Sequence, residues 1–334
     1  MKAAYFQETG PATVIEMGEV PTPTPAAGQL LVRVTYAGLN PIDTYIRSGA
    51  VAMSTPKPFI TGTDFAGVVE KVGEGVSGFH VGQRVWGSNQ GLLGRQGTFA
   101  EYVSPSAEYV YPIPEGVSDE QACACALTGI TAYLGLFTFG KLQPNELAFV
   151  NGGTGGVGSL VVQMAKAVGA RIACTVGSES KAQLAQELGA DRTILYKTED
   201  VAENIREFTH NQGLHLWYET LREPNYDRIV ESMRMWGRIV IMAGRTARPV
   251  FPHGPFYVKG LTLMGFAMFN CSPEQQRQAA LGINHFLENK KIRSPIGKIF
   301  PLREAAQAHQ LQEENTVGGA GTLTGKILIK IDSE

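Results

Sequence analysis

The chain has 334 residues and 36.0 kDa, and at roughly 150 residues per domain that predicts two domains. Hydrophobic residues are 43% and charged ones 18%, which suits a globular chain and excludes an intrinsically disordered one. Lys and Arg number 29 against 31 Asp and Glu, a net charge of −2 with no basic block, which argues against nucleic-acid binding. Glycine is the outlier, with 39 residues against a usual ~7%; no triplet period accompanies it, so collagen is excluded.

No stretch reaches 18 uninterrupted apolar residues, and the start, MKAAYFQETG, lacks the apolar run of a signal peptide. The four cysteines, Cys123, Cys125, Cys174 and Cys271, are few for the length and fit a reducing, cytoplasmic setting with reduced thiols.

Residues 1–120 read as strands and turns. Leu30–Tyr36 and Phe65–Val72 are β-branched runs bounded by Gly, Pro and Asn, and 15 of the glycines fall in the first hundred residues. Ala107–Pro114, with two prolines, reads as the exit from this β domain. From about Cys123, short apolar runs alternate with helical patterns. Strands are expected at Leu147–Asn151, Arg171–Val176, Arg192–Tyr196, His215–Thr220, Gly237–Ala243 and Leu261–Phe266. Helices are expected at Val157–Val168, Ser180–Leu188, Val201–Thr209 and Tyr226–Met233. That order implies a doubly wound parallel sheet covered on both faces, an α/β fold. A long helix over Pro273–Lys291, a strand near Ile299 and a helix over Arg303–Glu314 follow. Lys326–Ile331 alternates with period two and is expected to return as a strand to the first domain. The resulting division is 1–122, 123–266 and 267–334.

Gly152–Gly158 follows a buried-strand pattern and opens a helix, and Gly153, Gly155 and Gly158 satisfy G-x-G-x-x-G. The first glycine would make the tight turn and the second would let backbone approach a pyrophosphate. The third would let the helix pack on the strand, while the helix N-terminus faces the anion. Strand, loop, helix and second strand arrive in the order a dinucleotide site requires. An NAD-preferring site usually carries Asp or Glu about 20 residues past the loop. Here Gly177 and Ser178 stand instead, followed by Glu179, Ser180 and Lys181. The missing acid opens room for a 2′-phosphate, which Lys181 meets as a point cation and Tyr196 as a hydroxyl donor. The cofactor expected is NADP(H). The competing reading makes Glu179 a displaced ribose ligand and Lys181 a solvated helix charge.

Several motifs in register resemble the zinc-independent quinone oxidoreductases of the medium-chain dehydrogenase/reductase superfamily, the zeta-crystallin group. They are Asn40-Pro41-Ile42-Asp43-Thr44-Tyr45-Ile46-Arg47-Ser48-Gly49, the segment Gly62 to Val69, Gly97 to Tyr102, Thr131-Ala132-Tyr133 and the glycine loop. The resemblance implies a GroES-like β-rich domain holding both chain ends, a Rossmann domain between them, a cofactor cleft at their junction and a homodimer. By motif match, Tyr45 lies near the nicotinamide and Thr131 beside its carboxamide, and Asn40 is counted among the cofactor-binding candidates. Thr154, Gly155, Gly156 and Val157 hold the pyrophosphate, and Gly177, Ser178, Lys181 and Tyr196 the adenosine end. Gly244, Arg245 and Phe266 close over the cofactor. Glu219-Thr220-Leu221-Arg222-Glu223 departs from the family pattern, as does the loop 315–324.

Zinc-dependent relatives need a cysteine and a His-Glu pair where this chain reads Gly38-Leu39-Asn40-Pro41 and Gly62-Thr63-Asp64. Asn and Thr are poor substitutes for thiolate and imidazole, so no zinc is expected. No G-x-S-x-G elbow supports a serine hydrolase. The expected activity is NADPH-dependent reduction of a quinone, with Asn40 and Tyr45 as candidate donors to its oxygens. Alternatively, Asn40 only caps a turn and Tyr45 only stacks on the nicotinamide. The competing functions are reduction of an activated C=C bond, in a 2-alkenal, enone or enoyl thioester, and nucleotide binding with little catalysis.

Overall fold

The computed structural model describes residues 1–331, and the chain divides into two compact units. The first contains Met1–Leu127, Gln276–Asn289 and the chain from Arg293 on; the second contains Thr128–Gln275 and Lys290–Ile292. The first unit thus runs past 122 to Leu127, and the second runs past 266 to Gln275.

In the first unit, a seven-stranded sheet carries the order Ile296–Pro301, Lys326–Lys330, Leu30–Leu39, Asp64–Val72, Arg84–Gly87, Val110–Pro112, with Tyr102–Val103 also paired to Leu30–Leu39. A second sheet joins Glu16–Glu19, Lys2–Phe6 and Phe59–Ile60. Leu30, Val32, Phe65, Val69, Val85, Phe99, Ile327 and Ile329 pack into one core with Ala305 and Ala308 of the helix Ala305–Thr316. The C-terminal strand does return: it lies antiparallel on Leu30–Leu39, with Ile327 opposite Leu39 and Ile329 opposite Ala37. Its period-two sequence does not make one wet face, however. Lys326 is 3% exposed and Leu328 0%, because the strand is covered on both sides. Val110–Pro112, read as a domain exit, is instead a sheet strand beside Arg84–Gly87.

Pro41–Ser48, within a region read as strands and turns, is a helix. Pro41 is pre-set for the first helical position, and Arg47 sits in the last turn before Gly49, whose φ of +80° ends the helix. The helices Asp119–Ala124 and Ala126–Tyr133 were also unforeseen, and a π-turn over Leu134–Phe139 follows them.

The second unit is a six-stranded, all-parallel sheet. Numbered by chain position, its strands run third, second, first, fourth, fifth, sixth: Arg192–Leu195, Arg171–Val176, Leu147–Val150, Leu214–Glu219, Met233–Ile241, Thr262–Gly265. That is the order of the dinucleotide-binding Rossmann sheet. Each parallel pairing needs a crossover, supplied by Gly156–Ala167, Glu179–Glu187, Val201–Phe208, Tyr226–Ser232 and His253–Val258. Leu147–Val150 is buried on both faces, as a central parallel strand must be. Ser178, Asp200 and Asn225 each accept the N–H three residues on and so start their helices.

Candidate functional site

The glycine loop leaves the central strand at Asn151 and enters the helix Gly156–Ala167 through Gly155, which is extended and exposed. The tight turn falls one residue earlier than the motif suggests. Gly152 carries the positive φ, +75°, whereas Gly153 is needed for packing: a Cβ there would meet Cys174 Sγ at 2.4 Å. Gly158 presses the helix onto the loop, since a Cβ there would lie 2.1 Å from the Gly152 carbonyl oxygen. Gly155 has open space, its nearest neighbour standing 3.5 Å from a hypothetical Cβ. The Gly155 N–H donates to the Gly152 carbonyl at 3.1 Å, so side-chain-free backbone at Gly155 meets the first N–H groups of a twelve-residue helix at Gly156 and Val157, beside buried Thr154. These residues fit a pyrophosphate.

Beneath the loop lies a polar network. Glu219, at 2% exposure, accepts from Asn151 Nδ2 at 2.7 Å, Trp217 Nε1 at 3.1 Å and Leu221 N–H at 2.8 Å. Asn151 Oδ1 accepts from Thr175 Oγ1 at 3.0 Å, and that hydroxyl accepts the Gly152 N–H at 2.9 Å. Burial raises the Glu219 carboxyl above its ordinary value, against the pull of its three donors. The Glu219-to-Glu223 departure is thus a loop support at its first residue, while Arg222 and Glu223 are exposed.

At the end of the second strand, Gly177 and Tyr196 come together: a Cβ on Gly177 would lie 3.3 Å from the Tyr196 hydroxyl. Ser178 Oγ accepts the Lys181 N–H at 3.4 Å and lies 3.1 Å from Ser180 Oγ. Lys181 is held below its ordinary ammonium value, first by partial burial and then by the charge of Lys197. Lys197 was not singled out from the sequence, although it follows Tyr196 directly. Two cations, hydroxyls and a side-chain-free position therefore share one corner, a composition suited to a phosphomonoester.

Thr131 is buried, and its main-chain oxygen accepts from the Tyr218 hydroxyl at 2.8 Å. The residue against Gly156 is Thr128, whose Cγ2 would lie 3.1 Å from a Cβ there. Gly244 turns with φ +78° against the Arg222 carbonyl, and Arg245 is exposed. Phe266 packs on Phe139 at 4.8 Å between ring centroids.

In the first unit, Asn40 and Tyr45 stand at the N-cap and in the middle of the helix Pro41–Ser48. Asn40 is 1% exposed and fully engaged. Its Nδ2 donates to Thr63 Oγ1 at 2.6 Å and to Asp64 Oδ2 at 2.7 Å, its Oδ1 accepts from Lys326 Nζ, and its N–H donates to Asp43 Oδ2 at 2.7 Å. Both amide protons are spent inside the protein, which removes Asn40 as a donor to an acceptor oxygen. Tyr45 is half-buried. Asp43 is 2% exposed, and burial pushes its carboxyl up to about 8 despite the Asn40 N–H. Lys326 also lies 2.9 Å from Asp64 Oδ2. Neither Lys326 nor the roles of Thr63 and Asp64 were drawn from the sequence, because period-two alternation does not show that a strand's lysine is buried. Among the described residues, no group of three or more His, Cys, Asp or Glu could hold a metal ion. Cys123, Cys125 and Cys174 are buried and burial raises each thiol, those of Cys125 and Cys174 to about 12, which suits packing rather than reactivity.

Two family models match the chain: an alcohol dehydrogenase GroES-like domain over residues 26–115, and a zinc-binding dehydrogenase over residues 156–284. The quinone oxidoreductase of Sus scrofa is 30% identical over 324 residues, covering 97% of this chain and 95% of that protein. A 2-haloacrylate reductase from Burkholderia is 29% identical, covering 98% of each chain. Among solved structures, Escherichia coli quinone oxidoreductase complexed with NADPH aligns with a TM-score of 0.87 at 27% identity, over 99% of this chain and 100% of that one. With this sheet order, this glycine loop and likeness along its whole length, the chain belongs to the quinone oxidoreductase family of medium-chain dehydrogenases/reductases.

Proposed function

We propose that the protein transfers a hydride from NADPH to a quinone without a metal ion. The observation that carries the cofactor choice is the corner of Gly177, Ser178, Lys181, Tyr196 and Lys197, which offers cations and hydroxyls where an NAD site offers an acid. The NADPH complex of the E. coli relative supports the same choice. NADPH supplies the hydride. The backbone of Thr154 to Val157 binds its pyrophosphate, and Lys181 with Lys197 balances the 2′-phosphate. Thr131, Gly244, Arg245 and Phe266 surround its nicotinamide end.

A quinone needs a flat apolar slot and a donor to the oxygen on which charge develops. With Asn40 committed to Thr63 and Asp64, that donor is the Tyr45 phenol. In place of a metal's positive charge, the Lys326 ammonium balances Asp64; stoichiometric zinc in purified protein would overturn this part. The family resemblance also leads us to expect a homodimer in the cytoplasm; among the described residues, no helix is long and apolar enough to cross a membrane. A second reading, reduction of an activated C=C bond, is supported by the likeness to the 2-haloacrylate reductase.

The cofactor assignment is tested by titrating the protein with NADPH and NADH and following nucleotide fluorescence. NADPH should bind at least tenfold more tightly, about 1.4 kcal/mol. Equal affinities would overturn it.

A further inference from the structure

The first unit buries three ionisable groups around Asn40: Asp43 at 2% exposure, Asp64 at 0% and Lys326 at 3%. A buried ion pair costs desolvation that its own attraction barely repays, and an apolar pair of similar volume often serves the fold as well. This cluster is nonetheless fully built. Asp64 accepts from Ser88 Oγ at 2.7 Å and Leu127 N–H at 3.1 Å on one oxygen, and from Asn40 Nδ2 and Lys326 Nζ on the other. The backbone has been shaped for it as well. Lys326 begins the strand whose next residue opposes Leu39, and a Cβ at Gly38 would lie 2.9 Å from Asp64 Cβ and 3.2 Å from Lys326 Cε. Only a glycine leaves room for the lysine stem beside the carboxylate.

The ammonium can meet only an acceptor and the carboxylate can meet only donors, so together they fix which way the Asn40 amide faces. Asn40 Oδ1 turns to Lys326 and Nδ2 to Asp64 and Thr63. The Asn40 main-chain N–H donates to the Asp43 carboxyl at 2.7 Å and its carbonyl accepts the Asp43 N–H at 3.0 Å, and those two bonds set the first turn of the helix that carries Tyr45. A side chain 286 residues away in sequence thus fixes the start of the Tyr45 helix.

We infer that Lys326 is a positioning residue for the reduction: paired with Asp64, it locks Asn40 and so holds the helix Pro41–Ser48, and Tyr45 on it, in the reacting geometry. The inference deepens the proposed function and rests on its assignment of Tyr45 as the donor to the acceptor oxygen.

The test compares Lys326→Met, which strands the Asp64 charge, with the double variant Asp64→Asn/Lys326→Met, which removes both charges. Measured are the melting temperature, the affinity for NADPH, kcat and KM with a quinone, and hydrogen exchange of peptides spanning 41–48. In the folded double variant, kcat should fall at least tenfold while NADPH affinity stays within twofold. The amides of 41–48 should exchange at least tenfold faster, with Rossmann peptides unchanged. A double variant that keeps wild-type kcat, that loses kcat without faster exchange at 41–48, or that loosens the whole first unit overturns the inference. So does failure of both variants to fold, since Lys326 would then serve the fold itself. If the unaltered protein reduces no acceptor, the functional reading fails separately. Exchange at 41–48 then still decides the role of Lys326: faster supports it, unchanged overturns it.

Discussion

Asp43 shows how one buried side chain links a helix start to pH. Its carboxyl is raised to about 8, first by burial, with the Asn40 N–H and Lys326 opposing and Asp64 adding to the rise. The unfolded chain releases that proton near 3.8, so between about pH 4 and pH 8 the folded state binds more protons than the unfolded one. Stability contributed by the protonated form is therefore lost as pH rises through that window, with a slope of up to ~1.4 kcal/mol per pH unit from this group. Asp43→Asn cannot ionise. Urea unfolding at pH 5 and pH 8 should show a smaller drop in stability for the variant than for the unaltered protein, and equal drops would contradict the charge balance described for the cluster. Lys181 gives the companion prediction at the other end of the cofactor. Lys181→Ala should weaken NADPH binding about tenfold or more and NADH hardly at all, because only the 2′-phosphate meets the ammonium. An equal loss for both nucleotides would make Lys181 a solvated helix charge.

The strand–loop–helix of the cofactor site was legible because its constraints are local. Alternating apolar runs, a glycine cluster and N-cap residues all act within a few positions, and the six parallel strands lie close to where the periodicity puts them, except that the fifth begins at Met233, four residues before the expected Gly237. Which glycine turns and which packs was not legible. Gly153 faces Cys174, and that contact comes from the neighbouring strand rather than from the loop. The Pro41–Ser48 helix was missed for another reason: it lies between strands in a turn-dense region, and Asn40-Pro41 signals a turn and a helix start equally well. Two substitutions test the element. Gly158→Ala would place a Cβ 2.1 Å from the Gly152 oxygen, so the loop must shift. A loss of roughly 1–3 kcal/mol of stability is expected, together with a loss of NADPH affinity. Ser178→Ala removes the cap of Glu179–Glu187 and should cost about 1 kcal/mol by urea unfolding, with NADPH affinity falling alongside. Unchanged affinity in both variants would mean that the loop and the cap serve only the fold.

The whole chain divides its chemistry between two units built on different principles. The first is a β domain closed by its own C-terminal strand, and that closure delivers Lys326 to Asn40. Sequence pattern foretold the return of the strand but not the burial of its lysine, because period-two alternation cannot register a strand covered on both faces. The second is a Rossmann sheet whose strand order places the glycine loop at the reversal between its first and fourth strands, where such sheets bind nucleotides. For a chain of this organisation the function we propose is NADPH-dependent quinone reduction. The most direct measurement follows NADPH absorbance with the purified protein against parallel panels of quinones and 2-alkenals. Turnover with quinones at higher kcat/KM than with any alkenal is the predicted result. Turnover with alkenals alone, or with neither panel, would contradict it, the first in favour of C=C reduction and the second in favour of nucleotide binding without catalysis.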